Sequence, residues 1–270
     1  PTGSELVTAD TEPQAGQIIE YNSLVLAAQI EEAGGKITLF DIQPDQQDAL
    51  AHALKTAQAY QPDLILILSG SSAGSKDFTA SIIDDAGQVL VHGIAVRPGH
   101  PVIIGMVETI PVIGVPGYPV SAALTGELFI QHLIAIWLGQ QADIDTRPRI
   151  SAQSTRKITS ATGDDDFVRV TVAKVGVKIL ATPLARGAGV ITSLLRADGL
   201  AHIPRFSEGV NMRDPLTVIL YHTMHAIEQT VLTMGSHDPM LDLLAQFMAA
   251  QHIGTRLTSA NVGSMGGLVA

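Results

Sequence analysis

The chain has 270 residues, of which 46% are hydrophobic and 16% charged, so it is long enough for two domains and too apolar to be disordered. Its 26 Asp and Glu residues outnumber 16 Lys and Arg residues, and a net charge of −10 without any basic run argues against nucleic acid as a partner. The absence of cysteine excludes disulfides and thiolate metal sites.

Membrane spans and targeting signals are not predicted. The longest apolar stretches contain Gly, Pro, Glu or His before they reach the roughly 18 residues of a membrane span. Pro1 does not open a signal-peptide pattern. We therefore expect a cytoplasmic protein that does not enter a membrane. Because the chain starts without Met and within a motif, we also expect a fragment of a longer protein.

The first part of the chain, residues 1–142, predicts a doubly wound α/β domain with a mostly parallel sheet, because helical and apolar extended segments alternate. Polar caps, terminal glycines and a first-turn proline mark the helices, and short apolar runs mark the strands. The predicted helices are residues 24–33, 45–60, 77–85 and 119–138. The predicted strands are residues 36–40, 64–68, 89–91, 102–104 and 112–115.

The loop at residues 69–78, Ser-Gly-Ser-Ser-Ala-Gly-Ser-Lys-Asp-Phe, follows a wholly apolar strand and precedes a helix. Small residues let backbone N–H groups approach an anion closely, and serine hydroxyls add donors. The alternative is an ordinary polar turn, since Gly and Ser also dominate turns that bind nothing. Asp77 is the only carboxylate in the loop, and it would either hold Mg²⁺ beside phosphate oxygens or cap the following helix.

Two further loops of the same domain are candidates for an anion site. Residues 97–101, Arg-Pro-Gly-His-Pro, offer the Arg97 guanidinium and the nearby His100. Residues 116–121, Pro-Gly-Tyr-Pro-Val-Ser, open a long helix, whose first N–H groups would face outward. The alternatives are a solvated arginine and a stiff, ordinarily capped turn.

The remainder of the chain predicts two more segments. Turn signals separate short β segments over residues 148–222, which predicts a small β-rich domain: residues 167–172, 177–180, 190–192, 200–203 and 216–221. Residues 223–270 show an apolar strand near residues 227–234, a turn and a helix through Ala250. Because a segment of this length is short for an independent domain, we expect a truncated α/β unit.

Five motifs, in the same order, resemble those of the MoeA family, the molybdopterin molybdotransferases related to the E domain of gephyrin. Residues 1–6 are similar to the family's Thr-Gly-Asp-Glu-Leu, and residues 21–23 to its Asp-Ser-Asn-Ser. Residues 69–78 are similar to Gly-Gly-Val-Ser-Val-Gly-Asp-Tyr-Asp-Phe. Residues 92–101 are similar to His-Gly-Val-Ala-Met-Lys-Pro-Gly-Lys-Pro, and residues 116–121 to Pro-Gly-Asn-Pro-Val-Ser.

The resemblance implies insertion of molybdate, or tungstate, into adenylylated molybdopterin with release of AMP, assisted by Mg²⁺. It assigns the catalytic and metal-binding carboxylates to Asp77 and Glu5, and it makes Arg97 the residue that meets the anionic groups. The substrate-binding residues that it implies are Thr2, Gly3, Asn22, Ser69, Gly70, Ser72, Gly74, Ser75, His100, Pro116, Gly117, Pro119, Ser121 and Ser193.

The later segments extend the resemblance. Residues 186–194 and 197–200 resemble the family's fourth, C-terminal domain, and residues 235–239 and 258–264 resemble the start of a periplasmic-binding-protein-like domain. The family builds its site from the third domain of one subunit and the second domain of its dimer partner. We therefore expect a homodimer in the full-length protein and no activity from this fragment alone.

Departures from the family's motifs leave three functions open. Ser4 and Ser75 stand where the family has Asp, Tyr118 where it has Asn, and Arg97 and His100 where it has Lys. Loss of two carboxylates would weaken the affinity for a metal. A sensor that binds molybdopterin or an oxyanion without turnover is therefore an alternative to the enzyme. A scaffold is the third, because the family's gephyrin relatives also organise partners.

Overall fold

A computed structural model describes residues 1–68, 78–251 and 254–269. The chain forms two compact units, and each is described here by itself. The first unit contains Pro1–Ile94 and Pro98–Thr146. The second contains Ala95–Arg97 and Arg147–Ala270.

The strands in chain order are β1 (Leu6–Val7), β2 (Ile18–Ile19), β3 (Ile65–Leu68), β4 (Gln88–His92), β5 (Val96–Arg97), β6 (Ile103–Val107), β7 (Ile110–Val115), β8 (Arg149–Ser154), β9 (Ile158–Thr159), β10 (Asp165–Val175), β11 (Lys178–Pro183), β12 (Gly199–Ile203), β13 (Gly209–Val210), β14 (Pro215–Leu220), β15 (Thr230–Gly235) and β16 (Arg256–Asn261). The helices are α1 (Asn22–Glu32), α2 (Gln47–Ala59), α3 (Phe78–Ala86), α4 (Pro119–Thr125), α5 (Gln131–Trp137), α6 (Asp143–Thr146), α7 (Thr192–Arg196), α8 (Met224–Glu228), α9 (Pro239–Ala250) and α10 (Ser264–Val269), with a π-helical segment, Gly126–Ile130, between α4 and α5.

The first unit is an α/β layer structure with helices on both faces of one sheet, which confirms the predicted fold class. Its sheet has the order β3-β7-β6-β4. The predicted mostly parallel sheet is wrong for the described strands, because only β3 and β7 pair in parallel, whereas the other two pairings are antiparallel and the sheet is mixed. Side chains of α1 and α4 pack on one face, and side chains of α2 and α3 pack on the other. Successive side chains of β3 point to opposite faces of the sheet, so this strand contributes to the apolar core on each face.

The predicted helix at residues 119–138 is present as α4, the π-helical segment and α5. Pro119–Trp137 is the one helix in the described part of the chain that is long and apolar enough to cross a membrane, but 67% of its apolar window is buried inside the structure. The Gln29 side-chain amide donates to the Ala123 carbonyl at 3.1 Å, and a Cβ at Gly126 would lie 1.9 Å from Gln29 Oε1. Glycine at this position therefore lets α1 approach closely.

The predicted strand at residues 36–40 is wrong, because this segment has no regular structure. A cavity of about 1060 Å³ separates it from β3. A strand is defined by its ladder of hydrogen bonds to a neighbour, and this apolar segment faces a cavity instead. Only Gln43, further along the chain, makes an isolated parallel bridge to Thr2.

The second unit is built around a small β-barrel, as the predicted β-rich domain requires. Its strands follow the order β11-β8-β14-β12-β10-β5, and an additional pairing between β10 and β11 closes the ring. The apolar core contains Val170, Val172, Ala201, Val218 and Leu220 at alternating strand positions. Closure removes sheet edges that would otherwise be open.

Three details of the second unit differ from the sequence prediction. Residues 190–192 form a turn and the start of α7 rather than a strand, because local bonds such as Ser193 N to Val190 O replace pairing with a neighbour. Strand β8 was not predicted, since its sequence Arg-Ile-Ser-Ala-Gln-Ser has few apolar residues. Ile227 belongs to α8, and the predicted strand begins only at Thr230.

The tail forms a β-α-β-α segment. β15 and β16 pair in parallel over six residue pairs, from Thr230 opposite Arg256 to Gly235 opposite Asn261. α9 connects them, and the Asp238 side chain caps it by accepting from Met240 N at 2.9 Å. The assignment of this segment to a periplasmic-binding-protein-like domain stays a prediction.

Candidate functional site

Two parallel strands of the first unit end side by side. β3 and β7 are in register, with Leu68 opposite Val115 at their carboxyl ends. Ser69 and Pro116, the first residues of two predicted loops, follow directly. In open α/β sheets, ligands bind in the crevice outside the carboxyl ends of neighbouring strands. The register therefore starts both loops at one edge of the sheet.

The segment at residues 1–3 is anchored to the same edge. Both the backbone N–H and the hydroxyl of Thr2 donate to the Leu68 carbonyl, at 2.8 and 3.0 Å. Gly3 N donates to the Gln43 carbonyl at 3.0 Å, and Gly3 has a φ of +154°. A Cβ at Gly3 would lie 2.8 Å from Leu6 Cγ. The structure thus places Thr2 and Gly3 beside Leu68, the last residue before the loop at residues 69–78, which we call the serine loop.

Asn22 connects the start of α1 to the loop after β7. Its side-chain amide Nδ2 donates to the Gly117 carbonyl at 2.6 Å. The Glu20 carboxylate accepts from the backbone N–H of Ser23 at 2.9 Å and from the Ser23 hydroxyl. These bonds satisfy donors at the first turn of α1 and hold Asn22 in place. Asn22 and Gly117, two predicted binding residues, are therefore in direct contact.

The start of α4 presents donors without a side-chain cap. Pro119 occupies the first turn, Tyr118 is the N-cap residue with an extended backbone, and no side-chain cap bond is present there. The first helical bond runs from Ala122 N to the Tyr118 carbonyl at 2.9 Å. The N–H groups of Val120 and Ser121 come before that bond, at the positive end of the helix. Such a helix start favours an anionic group.

The predicted carboxylates are only partly described. Ser69, Gly70, Ser72, Gly74, Ser75 and Asp77 lie outside the described residues, so their roles stay predictions. Glu5 is half-buried, and its Oε2 would lie 3.2 Å from a Cβ at Gly3. No group of three or more His, Asp or Glu residues that could hold a metal occurs in the described ranges. A single carboxylate beside an anion loop fits Mg²⁺ held mainly by substrate phosphates and water, and does not fit an all-protein metal cage.

Arg97 and His100 belong to different units. Arg97 lies in β5, which pairs in parallel with β10 of the second unit, and its Nε donates to Asp164 Oδ2 at 2.6 Å. Its side chain is 50% exposed, whereas that of Asp164 is 11% exposed. His100 lies in the first unit, where its carbonyl accepts from Ile94 N at 2.8 Å. A ligand shared by the two residues stays a prediction.

Ser193 is buried and engaged within the second unit. Arg169 Nε donates to its hydroxyl at 2.9 Å, and the hydroxyl donates to the Val190 carbonyl at 2.6 Å. Arg169 Nη2 also donates to the carbonyls of Ala185 and Gly187, at 2.8 and 3.2 Å. Burial lowers the pKa of Arg169. Arg169 was not predicted as a functional residue, although a single arginine within an apolar strand is a usable signal.

Three consecutive aspartates, one just before β10 and two at its start, each pair with an arginine of the second unit. The pairs are Asp164 with Arg97, Asp165 with Arg205, and Asp166 with Arg186. Burial by itself would raise the pKa of Asp165, but hydrogen bonds from Arg205 and His202 outweigh it, so that pKa is lowered. These arginines are already compensated by carboxylates, which reduces their attraction for a free anion.

Comparison with known families covers both units. The profile described as "Probable molybdopterin binding domain" matches residues 1–135, and that of the MoeA C-terminal region, domain IV, matches residues 151–221. A Methanocaldococcus jannaschii protein named for molybdopterin biosynthesis is 33% identical over 227 residues, covering 81% of this chain and 53% of the relative. A Haemophilus influenzae molybdopterin molybdenumtransferase is 34% identical over 168 residues, covering 62% of this chain and 41% of the relative.

A solved structure gives the same result. The crystal structure of a molybdopterin biosynthesis MoeA protein from Pyrococcus horikosii matches with a TM-score of 0.68 and 32% identity, over 82% of this chain and 53% of that one. The chain spans about half the length of the curated relatives that it matches. Two family profiles therefore match in the order of the two units. The chain belongs to the MoeA family and carries its molybdopterin-binding region followed by its C-terminal domain IV.

Proposed function

We propose that this protein takes part in molybdenum cofactor biosynthesis as a molybdopterin molybdotransferase. The reaction is the insertion of molybdate, or tungstate, into adenylylated molybdopterin with release of AMP. The matched relatives support this reaction class, because one of them is a molybdopterin molybdenumtransferase. The working form is a homodimer in the cytoplasm, in which the site at the sheet edge is completed by a partner subunit.

The observation that carries the proposal is the parallel register of β3 and β7. Leu68 and Val115 are opposite each other, so the serine loop and residues 116–121 start at one edge. Asn22 then fixes the second loop through Gly117. Two candidate anion-binding loops at neighbouring strand ends suit a ligand that carries a phosphate and a second anionic group.

The chain's own residues have distinct roles in this proposal. The serine loop and the α4 start, with the N–H groups of Val120 and Ser121, bind the anionic ends of the pterin. Asn22 and Thr2 position the two loops through Gly117 and Leu68. The roles of Arg97 and His100 toward the remaining anionic groups come from the family's motif alone. Fixed donors of this kind bring the reacting groups together and stabilise the charge that develops.

Asp77 and Glu5 are the carboxylates that would hold Mg²⁺. When bound, the ion would neutralise charge on the substrate phosphate oxygens. The position of Glu5 is compatible with this role, because its Oε2 would lie 3.2 Å from a Cβ at Gly3 in the anchored segment at residues 1–3. Asp77 comes from the family's motif alone.

The test is Asp77→Asn in the protein as its gene encodes it, with Asp214→Asn as the matched control. Asp214 lies in a turn before β14 in the second unit. We expect AMP release in the presence of molybdate and Mg²⁺ to fall by at least about a hundredfold in Asp77→Asn, because a group that acts in the transition state is removed. The control should keep its rate. An undiminished rate in Asp77→Asn would overturn the proposal.

A second candidate is a sensor that binds the pterin or an oxyanion without turnover. Ser4, which stands where the family has Asp, favours it, because the Ser4 hydroxyl accepts from Asp45 N at 3.3 Å and supplies no carboxylate. Calorimetry with adenylylated molybdopterin, run beside the AMP assay, distinguishes the two candidates. Binding without any AMP release would establish the sensor.

A further inference from the structure

The short helix α7 carries the predicted binding residue Ser193 and buries little apolar surface of its own. It spans the five residues Thr192–Arg196, of which Ser193 is buried, whereas Leu195 is 83% exposed. A helix this short is unstable in water by itself, because its few hydrogen bonds do not offset the cost of forming the first turn. The position of α7 therefore depends on contacts with other parts of the second unit.

The barrel strand β10 holds α7 at its start and just after its end. At the start, Arg169 Nε of β10 donates to the Ser193 hydroxyl at 2.9 Å. After the end, the buried Asp198 donates its backbone N–H to the Val170 carbonyl, and its Oδ2 accepts from Val172 N, each at 2.8 Å. A change at either end of α7 can therefore reach the other end through a helix of little more than one turn.

The tail, residues 223–270, supplies a second set of contacts to the end of α7. Arg196, the last residue of α7, donates to the Asp242 carboxylate of α9 at 3.1 Å. Arg256 of β16 pairs with the Asp198 carboxylate, whose side chain is fully buried. A buried carboxylate is unfavourable without a compensating charge, so this second pair constrains the residue that follows α7. The tail thus contacts the end of α7 through one exposed and one buried ion pair.

The tail is itself fixed to the barrel, so its two charged residues have defined positions. Ile227 of α8 is fully buried in the barrel core. β15 follows α8, and Thr230 at its start is opposite Arg256 at the start of β16. α9 carries Asp242 in its first turn. Regular secondary structure therefore carries Asp242 and Arg256 from the barrel core to α7.

We infer that the tail holds α7 and so positions Ser193, with the largely exposed loop at residues 186–191, for the ligand of the proposed function. Asp242 and Arg256 act through α7 and are positioning residues. The inference rests on the proposed function, under which Ser193 is one of the substrate-binding residues that the family resemblance implies. The two matched family profiles end at residues 135 and 221, before the tail, so they assign no role to either positioning residue.

The test compares two exposed ion pairs of the tail in the protein as its gene encodes it. Asp242→Ala removes the pair with Arg196, and Glu228→Ala is the matched control. Glu228 of α8 pairs with Lys174 at 2.6 Å, so it joins the tail to β10 rather than to α7. The four side chains are all between 40% and 50% exposed, which makes the two losses comparable.

The first measurement is amide hydrogen exchange. The N–H groups of Leu194 and Ala197 bond carbonyls at or next to α7, so their exchange reports its opening. We expect both to exchange about two- to fivefold faster in Asp242→Ala than in Glu228→Ala, the range that one exposed ion pair can give. Val218 of β14 should exchange equally in both variants, which excludes a loss of global stability as the cause.

A charge exchange tests whether the pair itself is responsible. Arg196→Asp combined with Asp242→Arg should restore slow exchange in α7, although each substitution alone accelerates it, because opposite charges then attract again. Arg256→Met should accelerate the exchange by about tenfold, since the buried Asp198 carboxylate loses its partner. Arg256→Lys, which keeps the charge, should recover part of this loss.

The second measurement is the affinity for adenylylated molybdopterin, obtained by calorimetry. Asp242→Ala should weaken this affinity by about two- to fivefold relative to Glu228→Ala. In the Ser193→Ala background, Asp242→Ala should weaken it no further, because its effect passes through Ser193. A merely structural role for Asp242 would not produce this dependence on Ser193.

The outcomes are distinguishable. Equal exchange in Asp242→Ala and Glu228→Ala overturns the inference. Faster exchange without weaker binding also overturns it, and so do additive losses of affinity in the Ser193→Ala background, because α7 would then position nothing for the ligand. Absence of binding by the unsubstituted protein overturns the proposed function and the ligand part of this inference, while the exchange data still decide whether the tail holds α7.

Discussion

The Asn22 side-chain amide donates to the backbone carbonyl of Gly117 at 2.6 Å, across 95 positions of the chain. Gly117 lies between Pro116 and the start of α4, so one hydrogen bond ties the first helix to the loop that follows β7. Backbone carbonyls in such a loop need a partner when water is excluded. Asn22 is therefore a residue that positions the loop.

Asn22→Ala should weaken the binding of adenylylated molybdopterin. Loss of one partly buried hydrogen bond costs about 0.5–1.5 kcal/mol, which corresponds to at most about tenfold in affinity. Calorimetry on the protein as its gene encodes it measures this change, and thermal unfolding separates it from loss of folding. The matched control is Asn211→Ala, because the Asn211 amide bonds Asp214 in an exposed turn at 3.1 Å. Equal weakening by both variants would contradict the positioning role.

Gly3→Ala should destabilise the first unit. Gly3 has a φ of +154°, and an added Cβ would lie 2.8 Å from Leu6 Cγ, so both backbone strain and crowding oppose the substitution. We expect a loss of about 1–3 kcal/mol in the free energy of unfolding, measured by urea denaturation. Gly235→Ala is the control, since nothing lies within 4 Å of its Cβ position. A Gly3→Ala variant as stable as Gly235→Ala would refute the strain at Gly3.

Ser193→Ala should act through Arg169. The variant leaves Arg169 Nε, a buried charged donor, without its 2.9 Å partner, at a cost of about 1–3 kcal/mol in folding free energy. Arg169→Met combined with Ser193→Ala should be clearly non-additive in a double-mutant cycle, because the two residues are in contact. If the losses of stability were additive, Ser193 and Arg169 would not be energetically coupled. A loss of pterin affinity without loss of stability would favour direct contact with the substrate instead.

Arg256→Met should destabilise the second unit more than Arg196→Met. Arg256 of β16 pairs with Asp198, whose side chain is fully buried, and Asp198 Oδ2 also accepts from Val172 N at 2.8 Å. Removing the guanidinium leaves the buried Asp198 carboxylate without its ion-pair partner. This loss should lower the free energy of unfolding by about 1–3 kcal/mol. Arg196 pairs with Asp242 on the surface, where such pairs contribute at most about 1 kcal/mol. Chemical denaturation of both variants measures the difference, and equal losses would contradict it.

Stability should fall as His222 becomes protonated. Burial and the nearby Arg256 lower the pKa of His222 below its ordinary value of 6.5, despite the opposing charge of Asp198. The unfolded state then binds the proton more readily, so this contribution is present above pH 6.5 and is lost as the pH falls below it. As the pH is lowered from 8 to 5, the unfolding temperature of His222→Gln should therefore decrease less steeply than that of the unsubstituted protein. Identical slopes would exclude His222 as a cause.

Local pattern predicted much of the fold. α1, α2 and β3 follow from helical composition and an apolar run, and these signals arise within a few residues of chain. The predicted strand at residues 36–40 is absent because a strand needs a hydrogen-bonded partner, and a cavity lies where that partner would be. The predicted strand at residues 190–192 is absent because local bonds such as Ser193 N to Val190 O replace pairing with a neighbour, and Arg169 Nε also bonds the Ser193 hydroxyl.

The amino-acid sequence by itself determined the α/β class, the β-rich second segment, the family, and the loops that follow β3 and β7. These features depend on residue type and on short spacing. Only the tertiary structure decided that Leu68 lies opposite Val115, that Asn22 bonds Gly117, and that Arg97 pairs with Asp164 in the second unit. The physical reason is that register and side-chain pairing are set by packing between segments far apart in the chain, which no local pattern encodes.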